Sequence, residues 1–222
     1  MEYPYSLLSQ SLQPASFLGS EEMGQPYLFD YSENNPRLWE VDVADQFSFQ
    51  QSIDTTLSQF GAQWGIAGYL ERRASLLRNL PQMVEEERFF HLGVDIFLPQ
   101  DFMLHLPLRG EVVQQGYEEG KGNFGGFVLI RHDMGTSHFY SLWGHLRLDS
   151  LPQVGSVVER GMPFAQVGDM SENGDWFYHT HLQVLTERGY KEGYLSKGYC
   201  RADLLPTIDQ VCPSPLFLMR FA

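Results

Sequence analysis

The strongest constraint on the fold is a change in hydrophobic period at His91. From this residue onward, short runs rich in Val, Ile, Phe and Tyr have a period close to two and are separated by glycine-bearing turns, which predicts β-strands. The predicted strands cover residues 94–98, 110–115, 126–132, 138–143, 156–158, 164–167 and 176–186. Short strands with turn signals favour a mainly antiparallel β fold of the α+β class, with a sandwich or barrel-like body and an open groove.

The segment before these strands has a different composition. Residues 1–36 are rich in Ser, Pro, Gln, Asn and Glu, which is typical of an irregular arm that lies on a neighbouring part of the protein. We therefore divide the chain into an N-terminal arm with a helical extension, residues 1–80, and a β domain, residues 81–222.

Between the arm and the strands, apolar residues recur at helical spacing, and we expect two helices there. The first carries Ile53, Leu57 and Phe60 on one face. The second covers residues 66–77 and is closed by Pro81, because proline is poorly tolerated inside a helix.

Composition and charge exclude several classes of protein. Of 222 residues, 43% are hydrophobic and 19% are charged, so the chain is neither disordered nor fibrous. Its net charge of −13 repels nucleic acids and anionic membranes. No apolar run approaches the ~20 residues of a membrane span, and no basic residue precedes Arg37 to begin a secretory signal. We expect no nucleic-acid or membrane partner. The location is expected to be cytoplasmic or is left open, and so is the oligomeric state.

The pair His179 and His181 is the most informative polar feature. Residues two apart on a strand share a face, about 6.6 Å apart, so Phe177, His179, His181 and Gln183 are expected on one face. Two neighbouring imidazoles repel if both are protonated, so a metal on one and a hydrogen-bonding role for the other is a favourable arrangement. The alternative is a solvated surface pair that is satisfied by water.

His91 and Asp95 flank Gly93 and form a second candidate feature. In an extended strand their side chains would lie about 13 Å apart, too far to hold one ion. Sharing an ion requires a bend near Gly93, which glycine makes easy. Together with His181, these residues would supply two imidazoles and one carboxylate, the ligand count of a catalytic zinc site that keeps one position for water. Further histidines beside the metal would then be available as general acid, general base or oxyanion donor.

Residues 116–126 contain five glycines and one lysine, which invites comparison with a phosphate-binding loop. No helix is predicted after them and the GK[ST] spacing is missing, so a flexible hairpin loop beside a cleft is the better interpretation. Phe124, Trp143 and Trp176 are candidates to line this cleft and contact a substrate, although aromatic residues in strands often only pack.

Three ordered motifs resemble the zinc metallopeptidases of the lysostaphin and LytM type. They are HLGVD at 91–95, SLWGHL at 141–146 and HTHLQ at 179–183, within a similarity that covers about residues 91–186. The resemblance implies an antiparallel β fold with a narrow groove. It also implies hydrolysis of peptide bonds in peptidoglycan, often next to glycine.

The same resemblance assigns roles to individual residues. It implies that His91, Asp95 and His181 bind Zn²⁺, and that His145 and His179 are the catalytic histidines. Three positions depart from the usual family pattern without changing these five: Trp143 replaces Tyr, Thr180 replaces Leu and Gln183 replaces Glu.

Three functions are compatible with these observations. The leading hypothesis is a zinc-dependent endopeptidase that acts on peptides or peptidoglycan. The second is a noncatalytic or autoinhibited domain that binds peptidoglycan or a protein, in which the arm occupies the groove. Candidate plugs in the arm are Tyr3, Tyr5, Tyr27, Asn34 and Asn35. The third is a cytoplasmic hydrolase of a small amide, suggested by the missing export signal and the acidic charge.

Overall fold

The computed structural model describes residues 12–20 and 23–219 of the chain. The strands in this part are β1 (Tyr27–Phe29), β2 (Gly65–Ala67), β3 (Phe90–His91), β4 (Val94–Phe97), β5 (Met103–His105), β6 (Gly110–Glu118), β7 (Gly125–Met134), β8 (Ser137–Leu146), β9 (Val157–Val158), β10 (Pro163–Gln166), β11 (Thr180–Thr186) and β12 (Tyr199–Cys200). The α-helices are α1 (Gln46–Phe60), α2 (Pro81–Glu85) and α3 (Glu187–Lys191). Short 3-10 helices cover Pro36–Trp39, Leu148–Ser150, Tyr194–Ser196, Ala202–Gln210 and Pro215–Leu218.

Eight of the strands form one sheet in the order β1-β2-β4-β11-β8-β7-β6-β9. Neighbouring strands in it are antiparallel, except β1 and β2, which are parallel. Two small antiparallel ribbons, β5 with β10 and β3 with β12, complete the strand pairing of the described residues. The mainly antiparallel β fold is therefore confirmed, while its sandwich or barrel-like form stays a prediction.

Each predicted strand has an observed counterpart, with different ends. The largest difference is in β11, which begins at Thr180 and not at residue 176. Residues before Thr180 leave the sheet because Asn173 binds their backbone. Its side-chain oxygen accepts a hydrogen bond from Trp176 N at 2.9 Å, and its Nδ2 donates to Trp176 O at 3.0 Å.

The central strands carry apolar side chains on both faces, as β8 illustrates. Phe139 and Trp143 of β8 belong to the main core, whereas Tyr140 and Leu142 belong to a second cluster. Full burial of each such side chain contributes roughly 1.5–3 kcal/mol to the free energy of folding. The centre of the sheet is therefore a rigid support for the residues at its ends.

Helix α1 occupies the place of the first predicted helix and carries Ile53 on its buried face. It begins at an Asp45 cap, whose carboxylate accepts from the backbone N–H groups of Phe47 and Ser48. It ends at Gly61, which has a left-handed φ of 64°. With 15 residues α1 is short, and within the described ranges no helix has the length and apolar character needed to cross a bilayer.

The second predicted helix, at residues 66–77, is wrong. Ile66 lies in β2 and pairs with Ile96 of β4, so its apolar side chain is placed by the sheet. The following residues run beside β3, and Pro81 begins α2 instead of ending a helix. The backbone hydrogen bonds that hold this segment run from Leu70 N to His91 O, from His91 N to Glu71 O and from Arg73 N to Phe89 O.

Candidate metal centre

Neighbouring strands and one bend bring the histidine motifs together. Strand β11 lies between β4 and β8, so His181 is paired with Asp95 on one side and with Gly144 on the other. His91 lies in β3, and a bend at Gly93 separates β3 from β4. The bend that the sequence analysis required between His91 and Asp95 is therefore present.

Gly93 is needed at this bend for space. Its φ is not in the left-handed region, so the backbone conformation alone does not require glycine. A Cβ atom at position 93 would lie only 2.5 Å from His181 Cε1 and 2.6 Å from the backbone oxygen of Leu182. Only glycine allows the bend and the His181 ring to approach this closely.

His91, Asp95 and His181 direct one atom each at a common point. His91 Nε2 lies 3.0 Å from His181 Nδ1 and 3.2 Å from Asp95 Oδ1. His181 Nδ1 lies 3.0 Å from the same carboxylate oxygen. All three side chains are buried, with exposures of 1–4%. The structure thus brings together the three residues that the sequence analysis assigned to a metal.

The outer nitrogen of each imidazole ring is fixed by a hydrogen-bond acceptor. His91 Nδ1 lies 3.0 Å from Gly68 O, and His181 Nε2 lies 3.0 Å from Gln183 Oε1. The Gln183 amide is itself oriented, because its Nε2 donates to Tyr194 O and Lys197 O. Each outer nitrogen therefore carries the hydrogen, and each inner nitrogen keeps a lone pair for a cation.

The protonation states fit the same conclusion. Burial opposes ionisation of Asp95, but the buried Arg73 guanidinium holds the pKa of this carboxyl well below its usual value. Burial and the nearby Arg73 guanidinium lower the pKa of His91 to about 3. Three electron pairs that face one another at 3.0–3.2 Å repel unless a cation lies between them. Donors of a tetrahedral zinc ion are roughly 3.3 Å apart, so the residues fit zinc.

Arg73 also contacts this cluster, although no motif in the sequence indicates it. Its guanidinium is fully buried, donates through one terminal nitrogen to Asp95 Oδ2, and donates through Nε to Glu71 Oε2 at 3.0 Å. In the sequence it follows Arg72, which is partly exposed and pairs with Glu33. Two adjacent arginines in a segment with helical spacing carry no signal that separates the buried one from the surface one.

His145 and His179 lie beside the same cluster, with ring centres 4.3 Å apart. His145 Nδ1 lies 2.7 Å from Asn173 O, and His179 Nδ1 lies 2.8 Å from Phe177 O. Because a carbonyl only accepts, both Nδ1 atoms carry the hydrogen and both Nε2 atoms are acceptors. Burial lowers the pKa of His179 to about 4 and holds that of His145 well below its ordinary value, so both rings are neutral at pH 7.

His145 also has an unusual backbone conformation. Its φ of 62° lies in the left-handed region, which is uncommon for a residue with a side chain. Its N–H donates to Phe124 O at 2.8 Å, and its carbonyl accepts from Gly168 N at 2.9 Å. These bonds hold a strained residue in place, a situation that is frequent at functional sites.

A pocket opens beside the cluster, and Phe124 and Trp176 line it. Phe124 lies in the predicted hairpin loop, at the end of the connection between β6 and β7. Trp143 does not line the pocket, which corrects its expected role. It is fully buried in the main core, packs against Phe164 and donates to Ser141 Oγ at 3.0 Å. The same pocket is also lined by Arg73, Asp95, His145, His179, His181 and Tyr199.

The candidate plugs of the N-terminal arm have other positions or lie outside the described residues. Tyr3 and Tyr5 belong to the part that the structure does not describe. Tyr27 is in β1 at the edge of the sheet, and Asn35 caps the following 3-10 helix. Among residues 12–20 and 23–219, no residue that precedes Arg73 lines this pocket, so the described part of the arm does not contribute to the lining.

His132 is buried in a separate place. Its Nε2 lies 2.7 Å from Ser141 Oγ, and its Nδ1 lies 3.0 Å from Arg109 O. Burial lowers the pKa of His132 to about 4. Both nitrogens are occupied and the ring does not line the pocket, so its role is structural.

Residues 89–192 match the model of peptidase family M23. The match confirms the resemblance to the lysostaphin and LytM type. The matched range includes His91, Asp95, His145, His179 and His181, whereas Gly68 and Arg73 precede it. Among curated proteins, none matches this chain.

Solved structures similar to this chain include a zinc-containing peptidase from Vibrio cholerae, with 25% sequence identity and a TM-score of 0.37. That similarity covers 44% of this chain and 28% of the Vibrio chain. The catalytic domain of the antimicrobial peptidase lysostaphin from Staphylococcus simulans has 17% identity and a TM-score of 0.40, over 54% of this chain and 80% of that domain. LytU has 23% identity and a TM-score of 0.39, over 60% of this chain and 81% of its own.

Proposed function

We propose that this protein is a zinc-dependent endopeptidase that cleaves peptide bonds in peptidoglycan or glycine-rich peptides, because residues 89–192 match the model of peptidase family M23, a family of zinc metallopeptidases. The observation that carries the proposal is the convergence of His91 Nε2, Asp95 Oδ1 and His181 Nδ1 within 3.2 Å of one another. Two neutral imidazoles lie beside these donors in the same pocket. Three proposed metal ligands with two neutral imidazoles beside them fit a hydrolytic site better than a purely structural metal site.

His91, Asp95 and His181 would hold the zinc ion. Three protein donors are the number found in catalytic zinc sites, whereas structural zinc sites normally have four. When bound, zinc would polarise the scissile carbonyl and lower the pKa of a water molecule towards ~7. The fixed outer nitrogens of His91 and His181 keep both rings oriented before the ion arrives, so binding costs little reorganisation.

His145 and His179 would carry the protons. Both are neutral, and both have an acceptor at Nε2, so either can take a proton from the attacking water. His179 is close to the donors, with its Nε2 3.8 Å from Asp95 Oδ1. After the first transfer, the protonated imidazole becomes a donor that can stabilise the oxyanion or protonate the leaving amine.

The pocket suits a narrow peptide. Phe124 and Trp176 provide apolar walls, and Trp176 Nε1 is a buried donor without a hydrogen-bond partner among the described residues. A peptide carbonyl would satisfy this N–H group, because buried donors rarely stay unpaired. The preference for glycine next to the cleaved bond is carried over from the motif resemblance at residues 91–186.

Substitution of the proposed ligands and proton carriers tests the function. His181→Ala should lose stoichiometric zinc, measured by elemental analysis, and should lose hydrolysis of purified peptidoglycan and oligoglycine peptides, measured by mass spectrometry. His145→Ala and His179→Ala should keep zinc but lose roughly 10²–10⁴-fold in rate, the usual contribution of a general acid or base. His138→Ala is the matched control, because His138 binds Glu187 at the surface outside the pocket.

Three results would contradict the proposal in different ways. Full hydrolysis by a metal-free His181→Ala protein would refute the metal assignment. Zinc binding without cleavage of any peptide or wall substrate would favour the noncatalytic alternative. Cleavage of small amides alone would favour the third hypothesis, because neither the wall polymer nor a long peptide would then be the substrate.

A further inference from the structure

We propose that Arg73 is a positioning residue that keeps Asp95 bound to the metal through one oxygen only. This inference rests on the proposed zinc site. Arg73 is fully buried, and its terminal nitrogen donates to Asp95 Oδ2. Arg73 precedes the range that matches the peptidase family and lies in the part that the sequence analysis assigned to the N-terminal extension.

The two oxygens of Asp95 have separate partners. Oδ1 lies 3.2 Å from His91 Nε2 and 3.0 Å from His181 Nδ1, where the cation would be. Oδ2 accepts from Arg73 instead. A free carboxylate can offer both oxygens to one partner, so occupation of Oδ2 limits the donor count of the site to three. Three donors leave a coordination position for water or substrate, which catalysis requires.

Arg73 is itself held in place from several sides. Its Nε and one terminal nitrogen lie 3.0 and 2.9 Å from Glu71 Oε2. It also donates to Gly68 O at 3.4 Å and to Tyr199 OH at 3.5 Å. Glu71 and Asp95 together compensate the buried positive charge, which would otherwise be strongly unfavourable. A guanidinium fixed in this way can hold a carboxylate in one orientation.

The short segment from Gly68 to Arg73 therefore positions two of the three proposed metal ligands. Gly68 O fixes the ring of His91, and Arg73 fixes the carboxylate of Asp95. The segment is tied to β3 by the hydrogen bonds from Leu70 N to His91 O, at 2.8 Å, and from His91 N to Glu71 O, at 3.1 Å. Its position is thus coupled to the strand that carries His91.

Substitution of Arg73 in the full-length protein tests this role, with Co²⁺ as a spectroscopic probe in place of zinc. In Arg73→Met, Oδ2 of Asp95 becomes free to bind the metal. We expect one metal ion per chain, a weaker visible absorption of bound Co²⁺ that indicates a higher coordination number, and a 10–100-fold lower kcat/KM for peptide cleavage. Arg73→Lys should restore the wild-type spectrum, because Lys keeps a cation beside Oδ2.

Arg72→Met is the matched control, because Arg72 pairs with Glu33 at the surface and should leave spectrum and kcat/KM unchanged. If Arg73→Met does not fold, the double variant Glu71→Gln/Arg73→Met removes the buried ion pair as a unit and carries the same expectation. A wild-type spectrum and wild-type kcat/KM in the folded Met variant would overturn the proposal for Arg73 alone. Failure of the wild-type protein to bind Zn²⁺ or Co²⁺ would instead refute the proposed function.

Discussion

Replacement of Gly93 by alanine tests whether the bend and the proposed metal site depend on each other. The added Cβ would lie 2.5 Å from His181 Cε1, 2.6 Å from His181 Nε2 and 2.6 Å from Leu182 O, where ordinary contacts are 3.4–4 Å. The ring and the backbone must therefore separate by about 1 Å in a closely packed region. Because His181 Nδ1 belongs to the donor set, the same displacement opens the 3.0 Å spacing to Asp95 Oδ1.

We expect two measurable effects of Gly93→Ala. Overpacking should lower the free energy of unfolding by about 1–3 kcal/mol, measured by urea denaturation of the metal-free protein with EDTA. Zinc affinity should fall about 10–100-fold, measured by competition with a chromophoric chelator, because the orientation of a ligand is lost.

Gly116→Ala is the control for Gly93→Ala. Position 116 is in β6, its φ is not left-handed, and an added Cβ would meet only the Phe127 ring at 3.4 Å. This variant should keep the zinc affinity of the wild-type protein. If Gly93→Ala binds zinc as tightly as Gly116→Ala and is equally stable, the argument that Gly93 makes room for His181 is wrong.

Three further predictions concern residues around the site and in the core. Gln183→Leu removes the acceptor of His181 Nε2 and should weaken zinc binding about 10–100-fold by chelator competition; unchanged affinity would contradict the role of the amide. Asn173→Ala loosens the loop whose carbonyl orients His145, so kcat/KM should fall about 10²-fold while zinc content by elemental analysis stays at one per chain. Burial lowers the pKa of His132 from 6.5 to about 4, so the unfolded chain binds more protons between these pH values. The contribution of the neutral, buried His132 to the free energy of unfolding is present above pH 6.5 and is lost as the pH falls towards 4. The free energy of unfolding, measured by urea denaturation, should therefore change between pH 7.5 and pH 4 by roughly 3 kcal/mol less in His132→Gln than in the wild-type protein. An equal change in both proteins would refute the linkage.

The residues that lie together in the candidate site could be predicted because each belongs to a short local pattern. His179 and His181 have the spacing that places two side chains beside one another on a strand, and His91 and Asp95 flank a glycine that allows a bend. Their convergence depends on the order of β4, β11 and β8, which the alternating apolar pattern does not determine. The motif resemblance supplied that information.

Other parts depend on tertiary contacts and have no local signal. The apolar spacing of residues 66–77 suits a helix, and the pairing of Ile66 with Ile96 decides against it. The position of Arg73 follows from the same departure from a helix, because only the extended path beside β3 brings this side chain to the site. The buried position of Trp143 involves contact with Phe164 of β10. An aromatic residue of a strand has the same local sequence pattern whether it lines a groove or packs in a core, so the sequence alone could not show this.

Backbone carbonyl groups, and not carboxylates, orient both imidazoles beside the pocket. Asn173 O and Phe177 O carry no formal charge, so neither His145 nor His179 has an anion at its Nδ1 atom to favour the protonated ring. A proton taken up by either ring in this buried environment is therefore held weakly. In the proposed reaction, both histidines would store a proton briefly, accepting it as the peptide bond is attacked and releasing it to the departing amine within the same turnover.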